Sequence, residues 1–276
     1  RRWKVKIGLA QLNSQNDKTV NLAAAERAVA ALAARGCDLV VLPEMFNYRW
    51  TDEANRAEAE PIPGPASKWA AGQARRHGIN LHLGSLIECR QDETGTERLN
   101  TSVVFDREGK ETARYSKIHL FDVDLPGGVS YRESSVVSPG DRVVTVEVEG
   151  VILGLSICYD LRFPELYRAL ALNGAQVLVV PAAFTVPTGI SHWEPLLRAR
   201  AIENGCYVVA CGQWGPSAPG KAPCFGHSLV VDPWGVVIAQ CSEGVGVVTA
   251  EIDLDHLQDV RGRMPVLKHR RPDVFG

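Results

Sequence analysis

The chain reads as an α/β protein, a four-layer α-β-β-α sandwich built from two similar units. Three observations carry that reading. Short apolar strands alternate with helical patterns over the first two hundred residues. Asp38-Leu-Val-Val-Leu-Pro-Glu-Met-Phe46 lines up with Gln176-Val-Leu-Val-Val-Pro-Ala-Ala-Phe184 at an offset of 138, with Gly36 and Gly174 matching ahead of them. Residues 100–109 (NTSVVFDREG) line up with residues 226–235 (GHSLVVDPWG) at an offset of 126. Two strand-and-helix units, each with an apolar sheet face, bury that face by stacking sheet on sheet with the helices outside.

Taken in order, residues 4–12 alternate as a strand. Residues 21–35 follow as an Ala-rich helix ended by Gly36, a residue suited to the position just past a helix. Residues 38–42 make a short apolar strand that stops at Pro43. A helix over 66–77 leads to a strand over 79–87. Strands over 101–105 and 111–115 join through Asp106-Arg107-Glu108-Gly109 as a hairpin, and 143–148 with 151–157 form another around Glu149-Gly150. A helix over 164–173 precedes an apolar strand at 177–180. Residues 194–204 are helical and 207–212 a strand, and 229–231 and 236–239 flank the turn Asp232-Pro233-Trp234-Gly235. No linker or low-complexity segment divides the chain, which predicts one domain over residues 1–276.

Composition narrows the function. Thirty Lys and Arg against 32 Asp and Glu nearly balance, and no basic run carries interleaved aromatics, which argues against nucleic acid as a partner. No apolar stretch approaches the ~20 residues of a membrane span, and the basic start runs straight into a strand without a signal-peptide core. Seven cysteines with no C-x-x-C pair point to free thiols in a reducing cytoplasm. The histidines show neither H-x-H nor H-E-x-x-H, so no metal site is expected. No Walker or G-x-G-x-x-G loop supports a nucleotide, and no cofactor is expected.

The chemistry centres on Gly154-Leu-Ser-Ile-Cys-Tyr-Asp-Leu-Arg-Phe-Pro-Glu-Leu166. An apolar strand ends at Cys158, and Pro164 suits the first turn of a helix. A cysteine on such an elbow faces substrate and helix-terminal N–H groups that favour a thiolate and hold an oxyanion. A buried structural cysteine is the competing reading; the polar sequel Tyr159-Asp160-Leu161-Arg162 speaks against it. Glu44 follows an apolar strand, at the carboxyl edge where sites collect, and supplies a base. Its counterpart in the second unit is Ala182, so only one copy carries the acid. Lys117 stands where a polar strand turns apolar, and its charge in a closed pocket would lower a thiol pKa and hold an oxyanion. His119 and His192 offer a competing Cys–His pairing, without an evident supporting Asn or Asp.

Leu42-Pro-Glu44, Tyr115-Ser-Lys117-Ile-His-Leu and Ile157-Cys158-Tyr-Asp-Leu-Arg-Phe-Pro-Glu together resemble the nitrilase, or carbon–nitrogen hydrolase, superfamily. The three motifs stand in the family's order, and the resemblance spans essentially the whole chain. It implies an α-β-β-α sandwich and a Glu44–Lys117–Cys158 triad without cofactor. Tyr131-Arg-Glu133-Ser looks like the segment carrying the family's second active-site glutamate, Glu133. Lys117 and the Tyr159 backbone N–H would then hold the oxyanion. Pro181-Ala-Ala-Phe-Thr185 and the segment from His192 to Glu203 are similar to the family's Nit branch, adding Phe184, Thr185 and His192 as substrate-binding candidates.

The substrate expectation rests on Arg162, four residues past Cys158. If its guanidinium takes a carboxylate in two-pronged fashion, the substrate is a small amide with a carboxylate a few bonds from the scissile bond. Otherwise Arg162 pairs with Asp160 or Glu165 and braces the elbow. Within the resemblance, deaminated glutathione, cleaved to 2-oxoglutarate and cysteinylglycine, comes first. 2-Oxoglutaramate and N-carbamoyl amino acids are the alternatives. A homodimer or dimer-based oligomer is implied as well, and the polar, Arg- and Pro-rich segment 266–276 suits a partner surface. An acyltransferase would share the thioester, and a scaffold protein on this fold would be expected to have lost a catalytic residue; none is missing.

Overall fold

The computed structural model describes residues 4–92, 95–125 and 128–275. In chain order the strands begin with β1 (Lys4–Gln11), β2 (Leu39–Val41), β3 (Asn80–His82), β4 (Leu86–Asp92), β5 (Gly95–Phe105) and β6 (Glu111–Ser116). A ribbon of β7 (Asp122–Asp124) and β8 (Ser130–Arg132) precedes β9 (Thr145–Val148), β10 (Val151–Leu155), β11 (Val177–Ala182) and β12 (Tyr207–Gly212). A second ribbon, β13 (Trp214–Gly215) with β14 (Cys224–Phe225), leads to β15 (Leu229–Val231), β16 (Val237–Gln240) and β17 (Gly246–Asp253). The helices are α1 (Lys18–Ala34), α2 (Asp52–Ala57), α3 (Pro65–His77), α4 (Pro164–Leu172), α5 (Val186–Asn204), α6 (Leu254–Arg263) and α7 (Pro272–Phe275).

Two sheets form, and their topologies coincide. In the first, β1, β2 and β3 run parallel, β5 lies antiparallel to β3 and β6 antiparallel to β5, while β17 closes the β1 edge antiparallel. In the second, β10, β11 and β12 run parallel, β15 and β16 follow antiparallel, and β9 closes the β10 edge antiparallel. Only β4, paired with β5, has no counterpart. The expected pseudo-repeat is therefore a repeat of topology. It extends to the helix packing: a Cβ at Gly8 would lie 2.7 Å from Leu32 Cδ2 of α1, and one at Gly154 would lie 3.0 Å from Leu170 Cβ of α4. These glycines occupy matching places in β1 and β10 and let each helix approach its strand.

The period-two alternation of β1 sets the layers. Val5, Ile7 and Leu9 face the second sheet and share a core with Val177, Val179 and Val209. Ala10 and Leu12 face outward and pack with Val29 and Leu32 of α1 and Ala70 and Ala74 of α3. Leu166 and Leu170 of α4 and Trp193 and Leu197 of α5 cover the far side of the second sheet. Four layers result, and both parallel sheet centres are buried on both faces.

Two expected elements differ. The strand over 79–87 is two strands, because the chain turns at Gly84 (φ +74°), where a side chain would meet the Pro43 carbonyl oxygen at 2.0 Å. The helix expected from residue 194 begins at Val186 and carries Pro195 inside it. Proline removes one helical hydrogen bond, but the fully buried Trp193 and Leu197 hold the helix to the sheet on either side of it.

Candidate active site

The carboxyl ends of β2, β6 and β10 converge. Past β2 the chain reaches Glu44 and turns sharply at Met45, whose φ is +53° and whose N–H donates to Ser85 Oγ at 3.1 Å. Past β10, Cys158 has φ +46° and opens a 3₁₀ turn, Cys158–Arg162, that leads to Pro164 in the first turn of α4. Left-handed residues other than glycine are uncommon and concentrate where a site dictates the chain's direction.

Asp160, wholly buried, holds the elbow. Its Oδ2 accepts from the Tyr115 hydroxyl at 2.6 Å and from the Ile157 N–H at 2.9 Å. Its Oδ1 accepts from the His119 N–H at 3.0 Å and lies 2.8 Å from His119 Nδ1. One carboxylate thus fastens the Cys158 elbow to the segment that carries Lys117.

Lys117 Nζ donates to Glu44 Oε1 at 3.1 Å and to Glu133 Oε1 and Oε2 at 3.0 and 2.8 Å. Asn100 Nδ2 bridges the same two acids, at 2.9 Å to Glu44 Oε1 and 3.1 Å to Glu133 Oε1. Backbone fixes the second oxygen of each acid as well: the Ala183 N–H donates to Glu44 Oε2 at 2.8 Å, and the Phe121 N–H to Glu133 Oε2 at 2.7 Å. Burial works against the charge on Lys117, but Glu133 and Glu44 outweigh it and hold its pKa well above the ordinary lysine range. Lys117 is therefore a fixed ammonium.

Cys158 behaves differently from the sequence expectation. Burial first, and then the charge of Glu44, push its thiol well above the usual range; Lys117 pulls the other way and is outweighed. The resting group is a neutral thiol with Glu44 in hydrogen-bonding reach. The Tyr159 N–H, in the first turn of the 3₁₀ segment, has no acceptor within that segment.

Glu44, Lys117, Glu133, Cys158, Tyr159, Arg162, Phe184 and Thr185 all line one cavity of about 130 Å³. His192 does not; its Nδ1 lies 3.3 Å from both terminal nitrogens of Arg162. Arg162 pairs with neither Asp160 nor Glu165. Asp160 is committed elsewhere, and the guanidinium sits over the Phe184 and Tyr159 rings at 5.3 and 5.8 Å. The Cys–His alternative loses its geometry: His119 is bound to Asp160, stacked on Phe163 at 3.7 Å, and lies off the cavity wall. Among the described residues no group of three His, Cys, Asp or Glu side chains is arranged to hold a metal ion, and no helix is long and apolar enough to cross a membrane.

Sequence reasoning passed over Asn100 and the cavity residues Arg49 and Lys221, named Tyr131 only within the Glu133 segment, and took Asp160 only as a pairing partner for Arg162. Asn100 had a signal: it opens the NTSVVFDREG hairpin, and its counterpart in the second unit is Gly226. The same asymmetry distinguishes Glu44 from Ala182.

The chain is 42% identical to the deaminated glutathione amidase of Bos taurus over 273 residues, 98% of this chain and 83% of the bovine protein. The crystal structure of the Caenorhabditis elegans NitFhit protein superposes with a TM-score of 0.91 at 41% identity, over 99% of this chain and 66% of that one. An amidase mutant from Nesterenkonia sp. AN1, 28% identical with a TM-score of 0.77 over 95% of this chain and 98% of that one, shows acrylamide added to its active-site cysteine. Residues 6–262 match the carbon–nitrogen hydrolase family, so the chain belongs to that family and is an enzyme of that class.

Proposed function

We propose that the enzyme hydrolyses the amide of a small carboxylate-bearing substrate through a thioester on Cys158. The observation that carries this is the cavity in which the buried Cys158 thiol, Glu44 and an ammonium held between two carboxylates meet. Because the resting thiol is protonated, the proton must leave as sulfur attacks, and Glu44 is the acceptor in reach. Sγ bonds to the carbonyl carbon, and Lys117 and the Tyr159 N–H take the oxyanion. Glu44 returns the proton to the leaving nitrogen, and the C–N bond breaks. Glu44 then takes a proton from water, whose oxygen attacks the thioester. Collapse breaks the C–S bond, releases the acid and restores the thiol. Glu133 fixes Lys117 and positions the acyl group.

Arg162 anchors a substrate carboxylate over the aromatic wall, with His192 steadying the guanidinium. Relatives at 42% identity bear the name deaminated glutathione amidase, and that substrate carries the required acid. The enzyme therefore takes deaminated glutathione to 2-oxoglutarate and cysteinylglycine. Its seven unpaired cysteines suit a reducing cytoplasm.

Cys158→Ala and Glu44→Gln, compared with wild type on this substrate, should lose activity by ~10⁴-fold or more while retaining the native circular dichroism spectrum. Glu133→Gln should accumulate an acyl-enzyme visible by intact mass. Wild-type turnover in Cys158→Ala would overturn the mechanism.

A further inference from the structure

Arg49 lines the same cavity as Cys158, yet the cluster around the thiol makes no use of it. The residue is only 8% exposed. One terminal nitrogen donates to Ser217 Oγ and the other to the Pro216 carbonyl at 3.0 Å, both neutral acceptors. Its Nε is buried without a partner. Among the described residues no carboxylate pairs with it, and Asp52, on the same wall, is occupied by Lys221 at 3.2 Å. A buried guanidinium without a counter-charge is costly, and a buried N–H without an acceptor is rare in a native protein. An anion in the cavity supplies the missing counter-charge. A guanidinium on the cavity wall is the group that takes a carboxylate through charge-assisted hydrogen bonds.

The position matters as much as the charge. Arg162 stands on the elbow after β10, whereas Arg49 stands on the loop after β2, tied to the chain before β14. We propose that Arg49 is a second carboxylate anchor, and that the preferred substrate carries an acid on each side of the scissile amide. The acid of the acyl part lies at Arg162 and that of the leaving amine at Arg49; this rests on the amidase reading above. Deaminated glutathione has that form, since its leaving cysteinylglycine ends in a carboxylate. 2-Oxoglutaramate releases ammonia and has no second acid. Arg49 therefore selects N-substituted, acid-terminated amides over primary amides.

The test compares deaminated glutathione with its analogue ending in a glycine carboxamide, each on wild type, Arg49→Gln and Arg49→Lys. The readout is the ratio of kcat/KM for the two substrates. It is internal to each protein, so partial loss of folded enzyme cancels. Wild type should prefer the carboxylate by roughly 10–100-fold, the range expected for charge-assisted hydrogen bonds. Arg49→Gln should bring the ratio close to one, and Arg49→Lys should fall between. A wild-type ratio near one, or a ratio in Arg49→Gln equal to that of wild type, overturns the assignment of Arg49 and leaves the amidase reading standing. Failure of wild type to hydrolyse either compound, or 2-oxoglutaramate, overturns the substrate reading itself.

Discussion

Asp160→Asn isolates the brace between the nucleophile and the lysine. The substitution keeps size and shape but offers one acceptor oxygen where aspartate offers two. If the amide nitrogen takes the place of Oδ2, the Ile157 N–H loses its acceptor; if it takes the place of Oδ1, the His119 N–H does. One orphaned buried N–H costs ~1–3 kcal/mol, and the surviving bonds lose their charge assistance. The expected loss is about 2–4 kcal/mol. At ~2–4 °C per kcal/mol for a chain of this size, Tm should fall by roughly 5–15 °C. The kinetic effect should be larger than unfolding explains, because the elbow is no longer tied to the segment holding Lys117. A misplacement of ~1 Å costs about 100-fold in rate. Thermal unfolding by circular dichroism and steady-state kinetics well below both Tm values measure the two effects separately. A variant with wild-type kcat and a Tm within ~2 °C of wild type would refute the bracing argument.

His82 gives a pH-dependent test. Its Nδ1 accepts from the Gly84 N–H at 3.1 Å, and burial pushes its pKa down to about 4 from an ordinary 6.5. The unfolded chain takes up that proton first, so the stability contributed by neutral His82 is complete above ~6.5 and is lost as pH falls towards 4, ~1.4 kcal/mol per pH unit and ~3 kcal/mol in all. Denaturant titrations between pH 7 and pH 4 should show a slope shallower by that amount in His82→Asn; equal slopes would exclude the assignment. Assembly is testable by light scattering: the segment after Met264 stays at the surface, with Val274 57% exposed, and suits a subunit interface. A dimer or a multiple of it is expected at micromolar concentration, and one subunit mass would refute it.

What was legible in the chain depended on how local the signal was. Glu44 and Cys158 stand just past apolar strands and Lys117 just past a polar one, and strand ends are visible in sequence. The repeat was legible because β2 and β11 are wholly buried and therefore wholly apolar. The roles of Asn100, Asp160 and Arg49 were not, since Glu44, Tyr115 and Ser217, with which they bond, stand 56, 45 and 168 positions away. The thiol's pKa was misjudged for a related reason: the charge of Lys117 can be read from sequence, whereas the burial that outweighs it exists only in the folded protein. Strand β17 escaped because it is only half buried and its alternation is weak. The bracing partners expected for Arg162 were near in sequence, but Asp160 already serves the elbow.

The two units differ in when their sheets can be completed. The second unit's edge strand, β9, is separated from β10 by only a two-residue turn, so that half carries its own cover. The first unit waits for β17, which begins more than two hundred residues after β1 ends. At ~5–20 residues per second, a nascent chain would hold an unpaired eight-residue edge for roughly 10–50 s. Bare edges recruit other chains, and lysines along an edge discourage it. Lys4 and Lys6 lie on β1. In the finished protein Lys4 faces Glu251 and Asp253 of the arriving strand at 3.6 and 3.5 Å, so a charge that keeps strangers off during synthesis marks the correct partner once it emerges.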